Sequence, residues 1–248
     1  MMKITPYKIP SQPIASEGKR PSSPTFLAFP SFLLTADTMH TDKFEQTQFA
    51  PQWLKDVTIL KAVNYLNDLE FDANDIKIVQ AQGAILPFLS GKEAVNFITN
   101  SNIRIKFDTL SSPHIHAQYD FENNFIRINE LYKNTQDPAE ILAISGAILH
   151  EAGHAKDKDG ISSVQEEINC LASNALAHRA FVKKYPDNFT NTDSLIVKDG
   201  VCVYADLFFD QDPLKTGLIS RIKQKYGFLP AGDLNHSPSN LALGVKSI

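Results

Sequence analysis

The chain is poor in most of the residues that declare a function by composition alone. In 248 residues it has two cysteines, Cys170 and Cys202, one tryptophan, Trp53, and three methionines. Two cysteines make neither a disulfide framework nor a cysteine-rich zinc site. They read as two buried thiols in a reducing compartment, with a single disulfide as the open alternative. An excess of one charge sign is also missing. The net charge of −4 offers no electrostatic case for nucleic acid or an anionic membrane as partner. Two short basic clusters, Lys183-Lys184 and residues 221–225, read as solvated helix surface. No run of about 18 apolar residues occurs, so no membrane-spanning helix is expected. Internal repeats are absent as well.

What is present is ordinary for a globular protein: 43% hydrophobic and 21% charged residues, enough for one large domain or two small ones. Pro6, Pro10, Pro13, Pro21 and Pro24 punctuate a Ser- and Lys-rich beginning. Residues 1–50 therefore read as a disordered leader. Residues 51–230 read as a single domain and 231–248 as a loose tail. Within the leader, residues 25–36 are apolar enough for the core of an export signal, but Pro30 interrupts them and no small-residue cleavage site follows. The preferred reading is a cytoplasmic protein whose apolar leader patch docks on the folded domain, with export as the alternative.

Along the domain, residues 53–71 have apolar positions every third residue and predict a helix. Residues 75–89 are ambiguous: Ile76-Lys77-Ile78-Val79 alternates like a strand, then Gly83 and Pro87 intervene. Residues 92–99 predict a short helix. Residues 103–107 and 125–129 alternate as strands, and the segment before the Asp120–Asn124 turn region pairs with the latter as an antiparallel hairpin. His114 and His116 would share one face of that strand. Ser162 or Ser163 caps a helix running to about Lys183, and further helices are expected over residues 194–209 and 210–226.

One stretch has complementary chemistry. His150-Glu151-Ala152-Gly153-His154 reads H-E-x-x-H, whose chance occurrence in a chain with seven histidines is on the order of one in a hundred. Asp137 as N-cap, Pro138 at the first helical position and Glu140 at the third open a helix expected to run to about Lys156. Ile141, Ile144 and Ile148 continue it at helical spacing. His150 and His154 then project from one face, one turn apart, where two neutral imidazoles can hold one zinc ion. Glu151 takes the general-base position beside them.

These residues, preceded by the apolar Ile148-Leu149, resemble the zincin superfamily of metallopeptidases over roughly residues 100–180. The resemblance implies an α+β, zincin-like fold with a small sheet packed on the H-E-x-x-H helix. It also implies a bound Zn2+, a peptide or protein substrate, and hydrolysis by a zinc-bound water with Glu151 as base. Asp157 and Gly160 stand where the long metzincin motif has Gly and His, so that branch is excluded. The gluzincin branch draws its third ligand as Glu from a downstream helix. Residues 165–170, with Glu166 and Glu167, are similar to the second helix of small gluzincins such as the ImmA/IrrE type. Lys156 departs from the family, which usually has an apolar residue there.

Between the two carboxylates, helical geometry favours Glu167. Relative to Ile168, residues Val164, Leu171, Ala172 and Ala175 fall within about 60° and define the buried stripe. Glu167 lies about 100° away at its edge, and Glu166 about 160° away on the solvent side. The expected ligand set is thus His150, His154 and Glu167, with Glu166 as the alternative third ligand. His178, Tyr204 and Tyr226 are candidates for stabilising an oxyanion. Two rival readings remain: a zincin-fold metal-binding regulatory or interaction protein with little hydrolysis, and a helical protein with a fortuitous motif.

Overall fold

The structure is a computed structural model, and it describes residues 55–157, 162–189, 193–198, 208–209, 222 and 225–231. The proline-rich leader, Trp53, Cys202, Tyr204 and residues 232–248 lie outside the described residues, as does most of the expected 210–226 helix. Within them the chain is α+β, with six helices and one three-stranded mixed sheet.

Capping chemistry sets most of the helix starts. α1 (Val57–Asn67) begins at Asp56, whose carboxylate accepts the Thr58 and Ile59 amides. It is shorter than the 53–71 expectation. α2 (Ala73–Ala81) begins at Asp72, which accepts the amides of Asn74 and Asp75. Here the strand-like alternation of residues 76–79 is overridden. The Asp72 cap nucleates a helix, only Val79 is buried on it, and among the described residues no strand lies alongside to complete a ladder. α3 (Gly91–Asn100) is capped by Ser90. Its first residue must be Gly, because an added Cβ would sit 1.8 Å from the Leu66 carbonyl oxygen.

β1 (Arg104–Asp108), β2 (Ala117–Asp120) and β3 (Phe125–Asn129) form a sheet ordered β1-β3-β2, with β3 parallel to β1 and antiparallel to β2. The β2–β3 turn ends on Asn124 at φ 56°, a left-handed position that Asn tolerates. β2 is an outer strand. It starts at Ala117, so the expectation that His114 and His116 share a strand face does not hold. The His116 ring instead bonds the Tyr132 hydroxyl through Nδ1 at 2.8 Å.

α4 (Pro138–Asp157) packs against α1, the sheet and α5. Its first three turns are buried almost all round: Ile141, Leu142, Ala143, Ile144, Ile148 and Leu149 are each at most 4% exposed. Such a helix is a core rod rather than an amphipathic surface helix. Ser145 meets its own hydroxyl requirement by donating within the core to the Ala62 carbonyl at 2.8 Å. α5 (Val164–Lys184) joins this core through Ala177 and Phe181, and a second one, with Val79 of α2 and Phe208, through Ile168, Leu171, Ala172 and Leu176. α6 is a single turn, Leu195–Val197, where a helix over 194–209 was expected; residues 199–207 are outside the described set. No helix among the described residues is long and apolar enough to cross a membrane.

Candidate metal centre

The last two turns of α4 meet the first three turns of α5. His154 faces Glu166, Gly153 faces Cys170 and His150 faces Asn174. The partners run in opposite sequence directions, so the two helices are antiparallel. Gly153 makes the close approach possible: a Cβ there would lie 2.6 Å from Cys170 Sγ and 3.2 Å from Pro87. Cys170 is buried and not in a disulfide. Burial, with the nearby carboxylates adding, pushes its thiol well up.

This packing brings the motif residues together. His150 Nε2 and His154 Nε2 are 3.0 Å apart. Glu167 lies across from both, with Oε1 3.7 Å from His154 Nε2 and Oε2 3.8 Å from His150 Nε2. Glu167 is 8% exposed, and its Oε2 has no hydrogen-bond partner among the described residues. Burial raises its carboxyl, opposed by the charges of His154 and Lys225 and by a hydrogen bond from Tyr226. Tyr226, an oxyanion candidate by sequence, is therefore held on the Glu167 carboxylate. His178 packs edge-on against Phe189.

Glu166 does not face solvent, contrary to the angular argument from the sequence. It is 6% exposed. Its Oε1 lies 2.6 Å from His154 Nδ1, and its Oε2 accepts the Ser163 amide at 3.1 Å, completing a capping box. The single-stripe assumption fails because the start of α5 is enclosed on every side. The Val164 and Gln165 amides donate to the Pro230 and Ala231 carbonyls, and the Gln165 side chain donates to the Gly83 carbonyl. A helix end wrapped in this way has no solvent face for Glu166 to occupy.

The two imidazoles titrate in opposite directions. Burial, with the charge of His154 adding, drives His150 well below its usual range. Burial also disfavours charge on His154, but the hydrogen bond it donates to Glu166 and the charges of Glu151, Glu166 and Glu167 outweigh it and push it up to about 9. His154 is thus the ring favoured to carry charge and His150 the ring favoured to stay neutral, with a backbone hydrogen bond at Cys170 also acting on His150 and the two Nε2 atoms within hydrogen-bond distance of each other.

Glu151 is 8% exposed and accepts the Tyr119 amide of β2 at 2.7 Å. Desolvation raises it to about 7, with the Glu167 charge adding and His154 opposing. Lys156 points outward near the end of the helix. Its ammonium bonds the Pro87 carbonyl, pairs with Glu93 at 3.4 Å and lies over the Phe88 ring.

Sequence reasoning missed Asn174 and Cys170. Both were findable: Cys170 and Asn174 follow Glu167 by three and seven residues, the spacing of one helix face. A polar Asn within an apolar run is the signal. Comparison with family models, with curated proteins and with solved structures returns no match to this chain.

Proposed function

We propose that the chain is a zinc-dependent metallopeptidase with a zincin-like arrangement of the gluzincin type, holding Zn2+ on His150, His154 and Glu167 and using Glu151 as general base. The observation that carries this reading is two Nε2 atoms 3.0 Å apart with the buried Glu167 carboxylate across from both, one oxygen toward each ring. Donors about 2.0–2.1 Å from a tetrahedral zinc lie roughly 3.3–3.4 Å from one another. Here the two Nε2 atoms are 3.0 Å apart, and the Glu167 carboxylate presents Oε2 3.8 Å from His150 Nε2 and Oε1 3.7 Å from His154 Nε2, so a rotation of the carboxylate brings one oxygen to an ion shared with both rings. The residues therefore fit the metal. Three protein ligands leave a position for water, and the bound ion would acidify that water and polarise a carbonyl.

The remaining work falls to this chain's own groups. The Tyr119 amide fixes the Glu151 carboxylate against β2, where the carboxylate can accept a proton from attacking water and return it to the leaving amine. Tyr119 pairs with Ile126 of β3 on its inner side, so its amide points outward, to the edge of the sheet. Among the described residues nothing pairs with β2 on that side. A free edge beside the base suits an extended peptide, which can add as a strand, and this favours peptide over small-molecule substrates.

A second reading has its own observation. Donor atoms of His150, His154 and Cys170 lie within 4.8 Å of one another. If Cys170 joined Glu167, four protein ligands would close the coordination sphere, as in structural zinc sites. The chain would then be a metal-binding regulatory or interaction protein with little hydrolysis. Glu167 is preferred over Cys170 because one oxygen of its buried carboxylate has no hydrogen bond among the described residues, whereas the thiol is buried against Gly153 and resists ionisation. The test is metal analysis of the purified full chain with a broad peptide-library cleavage assay. One zinc per chain and cleavage that drops roughly 100-fold or more in Glu151→Gln, with zinc retained, support the peptidase. One zinc, no cleavage and a thiolate charge-transfer band on cobalt substitution transfer the assignment to the closed site. Absence of bound metal sinks both.

A further inference from the structure

We propose that α5 supplies three groups to the metal centre: Glu167 as ligand, and Glu166 and Asn174 as positioning residues that hold the outer ring edges of His154 and His150. The proposal rests on the metal-centre reading and deepens it by assigning what orients the ligands.

The geometry is symmetrical across the site. Each histidine turns Nε2 inward, toward the other and toward Glu167, and turns Nδ1 toward α5. A ring nitrogen can bind metal only through a lone pair, so the proton of the neutral ring must sit on the other nitrogen. A group that accepts a hydrogen bond from Nδ1–H therefore selects the metal-binding form. It also fixes ring rotation.

For His154 that acceptor is Glu166 Oε1, at 2.6 Å. The same carboxylate takes the Ser163 amide on its other oxygen, and the Ser163 hydroxyl in turn takes the Glu166 amide. A reciprocal capping box locks the side chain at the helix start. Glu166 is thus held by α5 before any ligand arrives, and its free oxygen is aimed at one ring nitrogen.

For His150 the partner is Asn174. Its side-chain nitrogen lies 3.3 Å from His150 Nδ1, and its Oδ1 is buried with no hydrogen-bond partner among the described residues. The two ends of a carboxamide interchange by rotation about one bond. A His150 ring that offers Nε2 to a metal carries its proton on Nδ1, which then cannot accept from an amide N–H. The orientation that gives the buried Oδ1 a partner turns it to His150 Nδ1–H. Glu166 and Asn174 are eight residues apart on the helix and the two histidines four apart on α4. Antiparallel packing with a close approach at Gly153 brings both pairs into reach.

The division of labour between adjacent glutamates follows. Glu167 has an oxygen with no hydrogen bond among the described residues; both oxygens of Glu166 are taken. Only the first is free to ligate.

The experiment measures zinc affinity by chelator competition, and melting temperature without metal, on the full chain. Glu166→Ala should weaken zinc about 10- to 100-fold. Ser163→Ala, which removes only the cap hydroxyl, should lower the melting temperature and leave zinc affinity near wild type. Asn174→Leu should weaken zinc about 10-fold, and Asn174→Asp, which retains an acceptor, should restore it. In zinc-loaded wild-type protein labelled with 15N-histidine, both rings should carry their proton on Nδ1. Equal zinc loss in Ser163→Ala and Glu166→Ala would reduce Glu166 to a helix cap and overturn the proposal. So would ring protons on Nε2, a readout that needs no variant to fold. If the wild-type chain binds no zinc, the metal-centre reading itself fails and this proposal goes with it.

Discussion

At the start of α4, Asp137 accepts the Ala139 amide, Pro138 opens the helix, and the Glu140 carboxylate takes the Thr135 hydroxyl. At the start of α5, Ser163 caps, Glu166 closes the box, and the Glu166 carboxylate reaches His154. Both starts have a polar N-cap that takes a helix amide without a helical partner, followed by Glu at the third position. What differs is the opposite wall. Glu140 is half-buried and meets its own neighbours, whereas Glu166 and Glu167 are enclosed and meet two imidazoles from another helix. A capping carboxylate has a second oxygen to spare, and the packing decides whether that oxygen serves the helix or a site.

The comparison breaks most severely if the opposite wall is removed. His150→Ala and His154→Ala should each abolish retained zinc, measured as metal per chain after desalting. Both variants retaining a full equivalent would place the metal elsewhere and make the two helix starts equivalent.

Next in size is the paired truncation of acidic residues from the two helix starts. Glu167→Ala should weaken zinc binding strongly, since it deletes a ligand. Glu140→Ala should leave zinc affinity unchanged, because its partner is the local Thr135. A silent Glu167→Ala alongside a damaging Glu166→Ala would reassign the third ligand.

A pH series sharpens the contrast further. His154, raised from 6.5 to about 9, binds its proton more tightly in the folded chain. Its stabilising contribution to the metal-free protein is fully present below about 6.5 and is lost as pH rises through about 9. Glu151, raised from 4.5 to about 7, acts in the same sense over its lower window: stability falls as pH rises from about 4.5 to about 7. The metal-free melting temperature should therefore decline from pH 6.5 to 9. Zinc must displace the His154 proton, so its affinity should rise with pH over that range and about one proton should be released per zinc at neutral pH. Titration calorimetry in buffers of different ionisation enthalpy reads that proton, and no release would contradict the paired-histidine state.

The smallest effect concerns the cap of α4. Asp137→Ala should cost about 1 kcal/mol of stability, read from denaturant midpoints, and leave zinc affinity untouched. Loss of zinc in that variant would mean that the register of α4 depends on its distant cap.

Much of this was legible from residue order, for local reasons. Asp137-Pro138 and Ser163 mark helix starts through short-range hydrogen bonds, and His150 and His154 share a face because a helix turns 3.6 residues per cycle. Strand pairing over residues 117–129 follows from alternation around a turn. Residues 76–79 misled because alternation over four residues also fits a helix turn, and the Asp72 cap that settles it lies outside that window.

By itself, then, the order of residues determined which side chains project together from α4 and that α5 begins with two carboxylates. Only the tertiary structure decided what those carboxylates meet. The antiparallel contact at Gly153, and the enclosure of the α5 start by Gly83, Pro230 and Ala231, bury a helix face that an amphipathic pattern assigns to water. Helical periodicity gives direction around one axis; which directions are buried depends on how many neighbours pack against it, and those neighbours come from distant parts of the chain.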